Sequence, residues 1–239
     1  MLARSEFSIA LIHSPLVGPL TWKPVAEELR RRGVDAAVPA LEDDETAGAP
    51  FWRRHAESVA RALAAIPENR PLILAGHSGA GPLLPAIRQA TGRAIAGYLF
   101  VDAGFQSDGE SRLDAMRGES PQFAAQLEDH LAAGGRFPEW TDDQLRAIIS
   151  DDELRRGVLA ELRPRSLPFF QEPITVFAGW PDAPCGFIRF SPAYDGPAAR
   201  ARTAGWPGRS FDAGHFHMLV DAPAVAGAML ELIGELLRA

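Results

Sequence analysis

The sequence predicts an α/β fold: a mostly parallel sheet of about six strands with helices on both faces and a helical cap. Three observations carry it. Short runs that are apolar on both faces alternate with longer amphipathic runs, and a strand without a polar face needs cover on both sides. One such run, "LILAG" at 72–76, stops abruptly in small and polar residues before helical spacing resumes. Between residues 104 and 172 the alternation ceases and only helical spacing remains.

In chain order, "FSIALIH" (7–13) reads as a strand and "TWKPVAEELRRRG" (21–33) as a helix closed by Gly33. "VDAAVPAL" (34–41) is the next strand, and "FWRRHAESVARALAAI" (51–66) a helix with apolar positions three and four apart. "PLILAG" (71–76) is followed by a helix from Gly79 to Ala90. "IAGYLFVDA" (95–103), "PITVFAG" (173–179) and "GRSFDAG" (208–214) supply the remaining strands, and "PAVAGAMLELIGELLRA" (223–239) the last helix. Within the interruption, "SPQFAAQLEDHLAAGG", "TDDQLRAIIS" and "DDELRRGVLAELR" each open on a capping-type residue. The expected division is therefore a core of 1–106 and 169–239 with a cap inserted at 107–168.

Composition excludes several function classes. A net charge of −7 lacks the basic surface that a nucleic acid requires. The single cysteine, Cys185, rules out an intramolecular disulfide and multi-cysteine metal sites. Lys23 is the only lysine, so no mechanism can call on a second. The opening residues hold too short an apolar stretch for a secretory signal, and no run reaches membrane-spanning length, so the cytoplasm is the expected compartment.

"GHSGAG" puts Ser78 on a sharp turn between a strand and a helix, with Gly76 and Ala80 small where the turn is crowded. A helix N-terminus behind it offers free N–H groups and the positive end of the helix dipole. This resembles the nucleophile elbow of the α/β-hydrolase superfamily, G-x-S-x-G, with Ala80 in place of the last glycine and Gly79 and Gly81 beside it. A dinucleotide-binding turn is the competing reading, but it follows a first strand and needs G-x-G-x-x-G, which this stretch lacks. The resemblance covers residues 7 to 238, is similar in size and layout to the small plant-type esterase and hydroxynitrile-lyase branch, and leaves out the family's two leading strands.

The resemblance implies a Ser-His-Asp triad with Ser78 as nucleophile. "DAGHFHMLVD" (212–221) places His215 after the last strand, where the family carries its general base, with His217 as competitor and otherwise a packing or substrate-pocket residue. Two aspartates compete for the acid: Asp182 in "VFAGWPD", at the family's usual site and preferred, and Asp102 in "LFVDAG", at an alternative one. The loop "IHSPLVG" takes the oxyanion-hole position. Ser14 replaces the usual glycine and Pro15 has no N–H, so the Leu16 and Gly79 amides are the expected donors. Phe105, Trp140, Trp180 and His217 are expected around the substrate, with Phe123, Phe137, Phe169 and Phe170 in or beside the cap. His77 is expected to buttress the elbow, and His55 and His130 to lie on helix surfaces.

The implied function is hydrolysis of a carboxylic ester or related acyl bond in a small apolar substrate, without metal or cofactor. The expected partner is that small molecule, with no nucleic acid and no membrane; a homodimer is compatible with this reading. Two alternatives stay open: a non-hydrolytic lyase or cyclase with His215 as base, and a ligand-binding protein on the same scaffold. Epoxide hydrolases and dehalogenases of the family carry aspartate at the elbow, where this chain has Ser78.

Overall fold

In a computed structural model, which describes residues 6–42, 48 and 50–238, six strands form one sheet: β1 (Ser8–Ile12), β2 (Asp35–Ala37), β3 (Leu72–His77), β4 (Gly97–Val101), β5 (Cys185–Arg189) and β6 (Gly208–Ser210). Their order is β2-β1-β3-β4-β5-β6 and every neighbouring pair is parallel. Residues 1–5 of the opening segment and residue 239 of the last predicted helix lie outside the described residues.

β1, β3 and β4 are buried at every position, as strands covered on both faces must be. Helices α1 (Lys23–Arg31) and α11 (Ala222–Leu236) pack together on one face, where Leu29, Met229 and Leu232 join Ile9 and Leu11. Helices α2 (Phe51–Leu63), α3 (Leu84–Thr91) and α9 (Asp195–Thr203) cover the other, where Val59, Ile87 and Ala201 meet Leu74 and Phe100. Trp22 is fully buried and donates its indole N–H to the Ile12 carbonyl at 3.0 Å; burial of such a side chain contributes about 1.5–3 kcal/mol. His55, expected on a helix surface, faces inward from α2 and is fully buried near Phe169.

One predicted strand is absent. Residues 173–179 pair with the loop 107–111, through Ile174 N–H to Glu110 O at 3.3 Å and Gly109 N–H to Ile174 O at 3.0 Å. The strand lies instead at "CGFIR", β5, buried over its first four residues but with a glycine and an arginine that dilute its apolar signal. Gly186 packs closely there: a Cβ would stand 3.0 Å from Leu99 Cδ2. Helix α9, between β5 and β6, is not among the elements the sequence predicts; it buries only Pro197, Ala198 and Ala201, too small an apolar face to show as helical spacing.

Between β4 and β5 the chain forms α4 (Arg112–Glu119), α5 (Pro121–Ala132), α6 (Asp142–Arg146), α7 (Asp152–Ala160) and α8 (Leu167–Gln171). Side-chain caps start three of them: Ser111 and Thr141 through reciprocal boxes, and Asp151 through Glu153 and Leu154 N–H. Both ends of the insertion are tied to the core by the buried Glu172. Its carboxylate accepts Arg112 Nη1–H at 2.8 Å and the Phe51 and Trp52 N–H groups at 2.7 and 3.2 Å, at the N-terminus of α2, where a negative charge meets the positive end of the helix dipole. A short helix, α10 (His217–Val220), precedes α11.

Candidate active site

The strand order reverses between β1 and β3, and crevices at the carboxyl ends of such strands are where open α/β sheets bind ligands. Ser78 follows β3 there. Its φ is +56°, a conformation L residues rarely adopt, and the turn behind it is a 3-10 helix over Ser78–Leu83. Helix α3 begins only at Leu84, five residues later than the sequence predicts, because Pro82 cannot donate into a regular α-turn. A Cβ on Gly76 would lie 3.1 Å from the Ala80 carbonyl carbon and oxygen, and one on Gly81 would run into the Gly104 carbonyl oxygen. Ala80 is fully buried and accommodated. The close approach that the pattern assigns to its last glycine falls one residue later, on Gly81.

Asp102, directly after β4, is the second residue with positive φ, at +42°. Its carbonyl accepts the Ser78 N–H at 3.1 Å, so the two strained residues brace each other. Its carboxylate is fully buried; Oδ1 accepts from Phe190 N–H at 2.7 Å and Ser191 N–H at 3.0 Å, and Oδ2 from Ser191 Oγ–H at 2.7 Å. His215 Nδ1 stands 2.7 Å from Oδ2. A carboxylate only accepts, so Nδ1 carries the proton and Nε2 is left unprotonated.

Asp182, the preferred acid from the sequence, is elsewhere. It precedes β5 at the opposite, amino-terminal edge of the sheet, accepting Tyr98 Oη–H at 2.6 Å and pairing with Arg88 at 2.8 Å. The correction follows from the misplaced strand: with β5 at Cys185–Arg189, Asp182 comes before a strand and not after one. Residues 190–195 occupy the rim instead. His77 is fully buried against Trp22, and burial pushes its pKa well down; neutral, it donates Nε2–H to the His215 carbonyl at 3.0 Å. His217 is wedged between Phe190 and Phe211, with ring centroids 5.6 and 4.9 Å away.

The loop after β1 closes over the elbow. A Cβ built on Gly79 would stand 3.1 Å from Ser14 Oγ, which itself accepts Leu16 N–H at 3.3 Å. Pro15 O accepts Arg165 Nη2–H at 3.0 Å, and Leu16 O accepts Arg163 N–H at 2.9 Å. His13 fixes the loop's start: Nδ1–H donates to Ser14 O at 2.9 Å and Nε2 accepts Leu41 N–H at 3.2 Å. Burial lowers its pKa to about 4, which keeps Nε2 free to accept.

Ser78, Gly79, Leu16 and Phe105 line one cavity of about 750 Å³, with Met116, Phe123, Phe169 and Phe170 from the insertion forming an apolar wall. Arg200 and Glu119, paired to each other, line it too. Trp140, expected in the pocket, packs instead against Phe137 and Phe216, and Trp180 against Tyr98 and Phe177 near Asp182. Tyr194 was missed. It lines the cavity, its Oη is 3.1 Å from Ser78 Oγ, and its ring lies parallel to His215 at 5.3 Å and 7°. Only recognition of β5 could have flagged it, since residues just beyond a strand's carboxyl end are site candidates. Among the described residues, no group of three or more His, Cys, Asp or Glu side chains is arranged to hold a metal ion, and no helix is long and apolar enough to cross a membrane.

No protein-family model and no curated protein matches the chain. Solved structures do. An extracellular α/β-hydrolase from a Paenibacillus species is 19% identical, with a TM-score of 0.73 over 95% of this chain and 98% of that one. Tomato methylketone synthase I with 2-tridecanone is 12% identical, at 0.74 over 97% and 99%. A pyrethroid hydrolase from Sphingobium faniae is 18% identical, at 0.71 over 95% and 97%. Sheet order, elbow and these likenesses together establish that the chain has the fold of the α/β-hydrolase superfamily.

Proposed function

We propose that the protein is a serine hydrolase cleaving an ester or related acyl bond of a small, largely apolar substrate, with Ser78, His215 and Asp102 as its triad. The observation that carries this reading is the 2.7 Å contact of His215 Nδ1 with the buried Asp102 carboxylate, beside a serine held at φ +56°. Asp102 fixes the imidazole tautomer. His215 Nε2 takes the Ser78 proton as Oγ bonds to the carbonyl carbon, then returns it to the leaving alcohol; water reverses the sequence and frees the acid. The Gly79 and Leu16 amides are the proposed oxyanion donors, the latter after release from Ser14 Oγ. The apolar wall from Met116 to Phe170, supplied by a helical cap over the core, receives the acyl or alkyl group.

The test is reaction with a fluorophosphonate followed by peptide mapping, and a series of p-nitrophenyl esters of increasing chain length. Labelling at Ser78 with ester turnover supports the proposal; labelling elsewhere, or none, removes it. A non-hydrolytic carbon-acid reaction with His215 as base is the second reading, favoured by one observation: Leu16 N–H is engaged by Ser14 Oγ and Pro15 has none, which leaves Gly79 alone in the hole. Methylketone synthase I has the same fold. Substrate consumption with no acyl-enzyme formed would favour it.

A further inference from the structure

A Ser-His-Asp site does not require Tyr194, yet one short loop delivers four groups to it. After β5, the Phe190 and Ser191 N–H groups and Ser191 Oγ–H bind the Asp102 carboxylate, and three residues on Tyr194 reaches Ser78 Oγ at 3.1 Å. The loop is anchored: Arg189 pairs with Asp195 at 2.8 Å and donates to Phe211 O at 2.9 Å. The Tyr194 ring lies flat on His215, 7° from parallel, so its hydroxyl is aimed by the same imidazole that Asp102 orients. Burial and the nearby Asp102 charge push the phenol's pKa up, which keeps it a neutral O–H donor.

Resting on the serine-nucleophile reading, we propose that Tyr194 is a further catalytic residue, whose phenol donates a hydrogen bond to Ser78 Oγ and stabilises negative charge on that oxygen as it attacks and as it leaves. In acylation the Ser78 O–H bond breaks, the proton goes to His215 Nε2 and the Oγ–C bond forms. In deacylation the Oγ–C bond breaks and Oγ recovers its proton from His215. Tyr194 keeps its own proton throughout; only its hydrogen bond shortens as charge builds on Oγ. Donation by a phenol also leaves the serine hydrogen free to point at His215.

The experiment is the second-order rate of Ser78 phosphonylation by a fluorophosphonate in Tyr194→Phe, which keeps the ring and its stacking. A hydrogen bond to a charged group implies a fall of about 10- to 100-fold, with the thermal midpoint unchanged. Tyr98 and Tyr194 are the only tyrosines, so Tyr98→Phe protein grown on 3-fluorotyrosine carries a single, more acidic phenol at 194. Its rate should equal or exceed that of Tyr98→Phe with ordinary tyrosine, whether or not the Tyr194→Phe protein folds. An unchanged or faster rate in Tyr194→Phe, or a slower rate with the fluorinated phenol, overturns the proposal. Failure of the parent protein to label at Ser78 would instead remove the serine-nucleophile reading.

Discussion

His215 Nδ1 stands 2.7 Å from Asp102 Oδ2, and Asp102 sits at the end of β4, while Asp182 is bound to Tyr98 and Arg88 at the sheet's other edge. Asp102→Asn should lower kcat on the order of 10⁴-fold by favouring the wrong imidazole tautomer. Asp182→Asn should leave kcat within a few-fold and lower the thermal midpoint, since it weakens a partly buried ion pair and a 2.6 Å hydrogen bond. Steady-state kinetics and thermal unfolding of the two variants separate these outcomes; a large loss of kcat at Asp182 alone would restore it as the acid.

The two neighbouring histidines divide in the same way. His215→Ala should abolish turnover with the fold retained. His217→Ala leaves a gap between Phe190 and Phe211, so it should destabilise by about 1–3 kcal/mol and retain most activity. Denaturant unfolding and ester turnover measured side by side check this.

At the elbow, Ala80→Gly should be active, with a stability cost of about 0.5–1 kcal/mol. Gly81→Ala should lose both activity and stability, because its Cβ runs into the Gly104 carbonyl that follows Asp102. If instead Gly81→Ala folds and turns over normally, the close approach is not what fixes Ser78.

His13 gives the fold an acid sensitivity with a definite sign. Its pKa is about 4 in the fold against 6.5 when unfolded. Above pH 6.5 both states are neutral and the contribution is intact. As pH falls from 6.5 to 4, the unfolded chain takes up a proton that the fold refuses, and stability drops by about 3 kcal/mol at 1.36 kcal/mol per pH unit. The buried His77 acts in the same direction. Denaturant melts at pH 7, 5.5 and 4.5 should show a falling midpoint, with a shallower slope in His13→Gln.

The core strands and the elbow were legible because burial on both faces writes a continuous apolar run, and β1, β3 and β4 are such runs. β5 was not, since Gly186 and Arg189 break the run, while "PITVFAG" is apolar enough to imitate a strand yet half of it is solvent-facing. That one misplacement moved the acid to Asp182 and hid Tyr194. The aromatic pocket was only partly legible: Phe105 lines the cavity, whereas Trp140 and Trp180 fill gaps between other aromatic rings. Sequence places an aromatic on an element, and packing alone decides whether it faces a cavity.

A serine nucleophile at position 78 must pass through a covalent acyl intermediate. Mass spectrometry of the intact protein, acid-quenched within milliseconds to seconds of mixing with a p-nitrophenyl ester and followed by peptide mapping, looks for that species itself. The expected result is a mass increase equal to the acyl group, located on Ser78, longer-lived in Asp102→Asn and absent from Ser78→Ala. Ester turnover with no adduct, undiminished in Ser78→Ala, would take the serine out of the chemistry.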